Sequence, residues 1–405
     1  MPLYRDRVAK ELEGKKSEFI GKAINQKAVE EFQGAAQNLT SEFSPEEIKQ
    51  ALEEYELPSA LPTEEYSEDG DLVVSFEESS GWESHEAVNN WAKKNIRGVT
   101  TVAADGSQID PVTEFEQPVG LVQAVWITNS HTDEGDYQRD VETKVLSPED
   151  ILFEDPNTGH IQVDNEEVPL SRFETEMQIL EKQIKKHSDE SEPPVVLYDG
   201  PLILSFAQMF DQPVRERYGE ALARVLAASK HHEVPVVGYT AGSKASDFAK
   251  MIEKLDLIDA SSSVRDYQIF EEMTENWGDR TILFNSRRDN SLNQLQTTYH
   301  GVEYDFSDRI LFSYMQIGSG PQLDRLDLPE WVLEEGLVDH VMSVIRAECG
   351  VGRGYPEILQ AADADAVISR QDREEFLRMY QDFSDENDIE LRWNNKALSK
   401  KRRRR

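Results

Sequence analysis

The spacing of apolar positions over the first part of the chain predicts helices. "VAKELEGKKSEFIGKAI" is polar with spaced apolar residues, and "SPEEIKQALEEY" opens with Ser44 as cap, Pro45 in the first turn and Glu47 closing a capping box. A Pro- and acid-rich connector follows, with a strand signal in "LVVSF" and a helical pattern over 87–94. We therefore assign residues 1–95 to an N-terminal helical region with an acidic connector.

The rest of the chain alternates apolar runs with helical patterns. "TTVAADGSQID", "VGLVQAVWIT", "VVLYDGPLIL" and "VPVVGYTAG" predict strands, and "SRFETEMQILEKQIKKH" and "ERYGEALARVLAASKHH" predict helices between them. This alternation predicts an α/β fold whose mixed sheet is partly parallel and flanked by helices. We assign residues 96–395 to this domain and residues 396–405 to a basic C-terminal tail.

Acidic residues are spread along the whole sequence. Asp and Glu number 79 against 43 Lys and Arg, which gives a formal charge of -36, yet 38% of the residues are hydrophobic and 9% are aromatic. This composition indicates a folded protein with an acidic surface rather than a disordered chain. Such a surface is typical of a halophile, where molar salt screens charges beyond about 3 Å. The net charge therefore does not exclude DNA as a partner.

Cysteine content and hydropathy predict a cytoplasmic protein. Cys349 is the single cysteine of the sequence, which excludes an internal disulfide and suits a reducing compartment. We find no apolar run long enough to span a membrane and no signal-peptide pattern, so we expect no membrane association. The basic segment Ser399 to Arg405 is open to two interpretations, a solvated tail or an arm that contacts phosphates.

Two predicted strands each end in an acidic turn, Asp105-Gly106-Ser107 and Asp199-Gly200-Pro201. Strand ends are where α/β sheets bind ligands, and two carboxylates held together there repel each other unless a cation lies between them. Oxygen ligands of this kind suit Mg²⁺ or Mn²⁺, which support phosphoryl chemistry. Two ordinary Asp-Gly strand ends remain the alternative.

A third acid is expected from the long helical pattern between these turns. Glu174, Glu176 and Glu181 are the candidates, and the apolar stripe of this helix consists of Phe173, Met177, Leu180 and Ile184. Glu176 lies four residues before Leu180 and so shares nearly the same face. We favour Glu176 as the inward-pointing acid, with a solvated helix glutamate as the alternative.

Five blocks occur in an order that resembles the NurA nucleases: "VAADGSQ", "VVLYDGPL", "VPVVGYTAGSKASDF", "LDRLDLPEW" and "GYPEILQAADADAVIS". These nucleases work with the HerA hexameric helicase in resecting DNA ends during double-strand break repair. The resemblance implies a ribonuclease H-like core, a homodimer, and Mn²⁺- or Mg²⁺-dependent hydrolysis of DNA. It further implies 5′–3′ exonuclease and single-strand endonuclease activities.

The resemblance also implies roles for individual residues. Asp105 is similar to the first metal-binding aspartate and Asp199 to the third acidic ligand, while Glu176, placed by spacing and helix face, is similar to the intervening glutamate. Tyr355 matches the tyrosine of a C-terminal Tyr-Pro element. Asp363 stands where that element has a histidine, so we expect it to serve as a further oxygen ligand that favours Mg²⁺ but cannot act as a cation.

Three basic residues are candidates for DNA contacts. Lys244 in "GSKAS" is predicted beside a helix N-terminus, and Arg287 and Arg288 in "NSRRDNS" are predicted to form a basic loop patch. Two other functions stay open at this point. The substitution at Asp363 favours a NurA-like protein that has lost cleavage and acts as a DNA-binding or helicase-docking subunit, and a small-molecule phosphohydrolase is the more distant alternative.

Overall fold

The computed structural model describes most of the chain. The described residues are 3–17, 26–82, 84–112, 115, 117–133, 135, 137–154, 159–258, 263–288, 295–318, 320, 322–389 and 391. The predicted basic tail over 396–405 lies outside them.

The described helices alternate with strands along the chain. The helices are α1 (Arg5–Gly14), α2 (Gln26–Glu42), α3 (Pro45–Ala51), α4 (His85–Ile96), α5 (Pro148–Ile151), α6 (Glu167–Lys186), α7 (Gln212–His232), α8 (Asp247–Lys254), α9 (Asp266–Phe270), α10 (Trp331–Glu334), α11 (Val338–Val351), α12 (Glu357–Ala366) and α13 (Arg370–Glu386). Ser44 and Glu47 form the predicted capping box at the start of α3.

The described strands form one large sheet and two short hairpins. They are β1 (Ser59–Pro62), β2 (Val73–Val74), β3 (Thr101–Ile109), β4 (Gly120–Asn129), β5 (Tyr137–Leu146), β6 (Leu152–Glu154), β7 (Ile161–Val163), β8 (Val195–Asp199), β9 (Val236–Thr240), β10 (Arg280–Thr281), β11 (Phe284–Arg287), β12 (Gln296–Tyr299), β13 (Val302–Asp305), β14 (Ile310–Met315) and β15 (Asp324–Pro329). The main sheet has the order β1-β11-β14-β15-β9-β8-β3-β4-β5, with β10 and β2 attached beside β14.

The half of the sheet that contains β3 has a ribonuclease H-like arrangement. Strands β3, β4 and β5 form an antiparallel meander, and β8 then pairs parallel to β3 and β9 parallel to β8. Helix α6 connects the meander to β8, and α7 connects β8 to β9. The predicted class, an α/β fold with a mixed sheet flanked by helices, is confirmed.

Both faces of this sheet are buried by helices. Along β3, Val102 and Ala104 pack with residues of α6 and α7, whereas Ala103 packs with residues of α11 and α12. The alternation follows from the two-residue period of a strand. A side chain on β3 or β8 can therefore be assigned to one face by its position alone.

The residues before 96 take part in the same sheet. Strand β1 pairs with β11 and β2 pairs with β10, both antiparallel. Helix α2 buries Phe32 and Leu39 in a cluster that includes Phe248 of α8. Helix α2 and strands β1 and β2 thus pack onto the half of the sheet that contains β10, β11 and β14, whereas α4 buries Ala92 and Ile96 in the cluster that contains Ala103.

A buried ionic network supports the centre of the sheet. Arg325 on β15 is 2% exposed, donates from Nε to Asp327 at 2.7 Å and also pairs with the buried Asp247 at the start of α8. Tyr314 on β14 donates to Asp266, which accepts the Phe248 and Ala249 amides of α8. These contacts tie α8 and α9 to β14 and β15.

In the described part of the chain, no helix combines the length and apolar character that membrane crossing requires.

Replacing Arg325 with methionine should destabilise the protein by about 3–5 kcal/mol, because Asp327 would remain buried without its cation and Asp247 would keep only Arg288 among the described residues, at 3.7 Å. Arg309→Met is the matched control, since the Arg309 side chain is 51% exposed and its contact with Glu330 is 3.4 Å long. We expect the control to cost about 1 kcal/mol or less. Urea unfolding at constant KCl measures both changes, and equal costs would contradict the assigned role of Arg325.

Candidate active site

Asp105 lies within β3 rather than at its end. The sequence predicts that the strand stops at Asp105-Gly106-Ser107, but β3 runs from Thr101 to Ile109 and Asp105 pairs with Val125 of β4. The prediction was wrong because antiparallel pairing with β4 continues through the glycine. On the other side of β3, the parallel pairing with β8 ends at Ala104 and Tyr198.

Asp199 is the last residue of β8, as predicted, and it follows Tyr198. In the register of the two strands, the next residues are Asp105 on β3 and Asp199 on β8, and neighbouring strands are about 4.8 Å apart. Both aspartates share a face with Ala103 and Leu197, the face covered by α11 and α12. The sheet thus brings the two carboxylates side by side.

Glu176 reaches the same point from the opposite face. It is 5% exposed on α6, the helix that packs against Val102 and Ala104. A Cβ at Gly106 would lie 2.5 Å from Glu176 Oε1, so a side chain there would displace the carboxylate. Gly106 therefore provides the opening through which Glu176 approaches β3.

The other two glutamates considered on this helix point away from the site. Glu174 pairs with Arg217, and Glu181 pairs with Arg224, both at 2.8 Å and both with α7. The helix-face argument thus selected the acid that points inward.

The loop after Asp199 is fixed by β9 and β15. Gly238 on β9 pairs with Asp327 on β15, and Asp327 Oδ2 accepts the Leu202 amide at 3.0 Å. A Cβ at Gly238 would lie 2.6 Å from the Gly200 carbonyl oxygen. The loop can cross β9 closely because Gly238 has no side chain.

Tyr355 and Asp363 approach the aspartates from the α12 side. The Tyr355 hydroxyl interacts with Asp199 and opposes the rise that burial causes in the pKa of that carboxyl, and the Tyr355 ring packs edge-on against Tyr239 at a centroid distance of 5.2 Å. Tyr239 itself donates to Asp324. Asp363 lies exposed on α12 and raises the pKa of both Asp105 and Asp199 by repulsion between carboxylates.

Burial and mutual repulsion raise the pKa values of the acids. Burial is the main cause at Asp105 and Asp199, with a smaller opposing effect at Asp199 from the Tyr355 hydroxyl. Burial raises the pKa of Glu176 to about 7, although Arg172 on the preceding turn opposes the shift. The surroundings of each carboxyl group therefore disfavour its ionised form.

The donor set fits a hard divalent cation. Glu176 Oε1 is buried without a hydrogen-bond partner, and carboxylate oxygens are the ligands that Mg²⁺ and Mn²⁺ prefer. As the side chains stand, no group of three or more His, Cys, Asp or Glu among the described residues surrounds a single metal position. The site thus combines a shared repulsion with an unpartnered buried oxygen.

The family model described as NurA domain matches residues 99–368. The chain belongs to the NurA domain family. The match begins two residues before β3 and ends just after α12, so it contains all eight predicted site residues. Family membership supports a nuclease.

Among solved structures, this NurA-domain protein is similar to one described as "Crystal structure of NurA bound to dAMP and manganese". The two are 11% identical, the match covers 72% of this chain and 91% of that chain, and the TM-score is 0.30. No curated protein matches the sequence.

The predicted DNA-contacting residues have different surroundings in this NurA-domain protein. Arg287 ends β11 and pairs with Asp308 at 2.6 Å, and Arg288 donates to the Ile203 carbonyl and lies 3.7 Å from Asp247. Both groups thus have an acidic neighbour. Residues 289–291 of the predicted loop lie outside the described residues, and DNA contact by the two arginines stays a prediction. Lys244 is exposed between β9 and α8, on the edge of the sheet where Asp199 lies.

The sequence suggests that a phosphate could bind at the N-terminus of α8, but two of the backbone amides there are already hydrogen-bonded. Asp266 accepts the amides of Phe248 and Ala249, which are among the free donors at a helix start. A phosphate near Lys244 would therefore have to be bound by the lysine without these two amides.

Sequence reasoning missed Arg172. It precedes Glu176 by four residues and so shares its helix face, and its Nη1 donates to the Gly106 carbonyl at 2.9 Å. The i, i+4 spacing to a favoured acid was the available signal.

Glu176→Gln should stabilise the metal-free protein at pH 8. The pKa of Glu176 is about 7 in the fold against an ordinary value of 4.5, so its charge destabilises the fold as pH rises between these values. The full effect, about 3 kcal/mol, is present above pH 7 and disappears below pH 4.5. Urea unfolding in EDTA at pH 8 and pH 5 measures it.

Glu181→Gln is the control for this comparison, because Glu181 lies on α6 like Glu176 but is paired with Arg224 of α7. We expect its effect to be small at both pH values. An equal gain for Glu176→Gln at pH 5 and pH 8 would contradict the burial of a titrating carboxylate.

Proposed function

We propose that this NurA-domain protein is a Mn²⁺- or Mg²⁺-dependent deoxyribonuclease that hydrolyses phosphodiester bonds. The observation that carries the proposal is the meeting of three acids at one point of the sheet. Asp105 and Asp199 lie on adjacent strands where their pairing ends, and Glu176 enters over Gly106 from the other face. Without a bound cation, such a cluster of acids lowers the stability of the fold. This cost argues for a function that requires the cluster.

Asp105, Glu176 and Asp199 would hold the metal, with Asp363 as a further oxygen ligand. A divalent ion held by these residues would supply a water of lowered pKa and would neutralise charge on the leaving oxygen. Tyr355 keeps its proton, because burial and the nearby acids raise its pKa well above the usual range. Its hydroxyl therefore acts as a hydrogen-bond donor that orients Asp199 or a phosphate oxygen.

The finer activity follows the sequence resemblance. We propose 5′–3′ exonuclease and single-strand endonuclease activities, a homodimer, and a role in DNA end resection with a HerA-type hexameric helicase. Product lengths from duplexes labelled at the 5′ or the 3′ end distinguish the two polarities. Sedimentation at high KCl tests the dimer, and stimulation of duplex digestion by the helicase with ATP tests the partnership.

A catalytically impaired DNA-binding or docking subunit is the second candidate. Asp363 favours it, because an acid replaces the expected histidine of the Tyr-Pro element. The absence of three acids around one metal position among the described residues also favours it. Against it stand the buried Glu176 and the unpartnered Oε1 atom, which have no evident use in a docking subunit.

Asp105→Asn should abolish Mn²⁺-dependent cleavage of 5′-labelled single-stranded DNA at high KCl. We expect a loss of more than about 100-fold, since even the outer partners of metal ligands cost 10- to 100-fold when they are replaced. Asp140→Asn, an exposed aspartate on the edge strand β5, is the control and should cleave normally. Cleavage that survives Asp105→Asn would refute the assigned site, and no cleavage by the wild type would favour the impaired subunit.

Asp363→His should shift the metal preference from Mg²⁺ toward Mn²⁺, because imidazole is a softer ligand than carboxylate. Removing this negative charge should also lower the pKa of Asp105 and Asp199. The ratio of cleavage rates in the two metals measures the change. An unaltered ratio would show that residue 363 does not contact the ion.

A further inference from the structure

Arg172 occupies an unusual position beside the acids. It lies one turn before Glu176 on α6, its side chain is 39% exposed, and its Nη1 donates to the Gly106 carbonyl at 2.9 Å. This hydrogen bond fixes the guanidinium against the residue that follows Asp105. Burial raises the pKa of Asp105 and of Glu176, and the Arg172 charge opposes both shifts.

The other donors of Arg172 are not used by the described residues. Nε is buried and has no hydrogen-bond partner, and it lies 3.7 Å from Glu176 Oε1, which also has none. This distance exceeds that of a hydrogen bond. The two groups form an ion pair without a hydrogen bond, so a buried Nε–H remains that could donate to a closer acceptor.

The chemistry of this edge selects the acceptor. A guanidinium has no lone pair to offer a metal, and its planar fork matches the paired oxygens of a phosphate. Position 363 holds an acid, so α12 contributes no cation at that point. A phosphodiester brought to Asp105 and Asp199 would therefore find its cationic partner on α6, where Arg172 lies beside Glu176.

We propose that Arg172 binds the phosphodiester of the DNA at the cleavage site through Nε and the neighbouring Nη2, and that it neutralises Glu176 when no DNA is present. The inference rests on the proposed nuclease function, which it deepens by assigning the residue that contacts the phosphate.

The test measures DNA binding without cleavage. A fluorescent single-stranded oligonucleotide is titrated with the protein in Ca²⁺, and Arg172→Gln should raise Kd about tenfold or more, because a charge-assisted contact is lost. The slope of log Kd against log[KCl] should fall by about 0.7, the value for one phosphate contact to a single strand. Arg172→Lys should recover the slope but only part of the affinity.

Arg224→Gln is the matched control. Arg224 of α7 is 44% exposed and pairs with Glu181 of α6, which lies five residues beyond Glu176 on the helix that carries Arg172. Its replacement should leave both Kd and the salt slope unchanged. An equal effect of the two substitutions would reduce the role of Arg172 to general surface charge and overturn the proposal.

Mn²⁺ binding in the absence of DNA separates this role from a structural one. Titration calorimetry should show that Arg172→Gln binds Mn²⁺ at least as tightly as the wild type, because a competing cation has been removed. Weaker Mn²⁺ binding together with an unchanged salt slope would overturn the proposal in favour of a residue that only shapes the site. Failure of the wild type to cleave DNA would refute the nuclease, while the binding titration would still decide the role of Arg172.

Discussion

The parallel register between β3 and β8 is the constraint on which the site depends. It sets Asp105 beside Asp199 and leaves the two carboxylates to repel each other at the point where the ladder ends. A flexible loop would relieve this repulsion by moving the acids apart. Two hydrophobic clusters, one on each face of the sheet, hold the strands and prevent that movement.

Rigidity of the site also depends on charges placed well inside the protein. Although the sequence carries a net charge of -36, several of its acids are buried and bonded to specific partners, among them Asp327 and Asp324. Asp327 links Arg325 to the loop that follows Asp199, and Asp324 accepts from Tyr239, which packs against Tyr355. The acidic composition thus serves both the surface and the positioning of the site.

The sequence predicted the elements that bury most of their surface. The apolar runs of β4, β8 and β9 and the stripe of α6 predicted these elements and the orientation of Glu176. It did not predict β5 or α13, because an edge strand and a surface helix expose most of their residues and carry little apolar pattern. The end of β3 was misplaced for a related reason: Asp-Gly is a turn signal locally, and only the partner strand β4 decides whether the chain turns there. The spacing of neighbouring residues likewise could not predict that Arg287 and Arg288 contact acids that are distant in the sequence.

The lack of a side chain at Gly106 links two positions that are 70 residues apart in the sequence. Any larger residue at 106 would occupy the space that the carboxylate of residue 176 now fills. During divergence the two positions should therefore change together: a chain with alanine at 106 has room for a shorter acid at 176 or for none. Glycine at position 106 with glutamate at 176 thus marks homologues that keep this acid, and a larger residue at 106 marks those that have shortened or lost it.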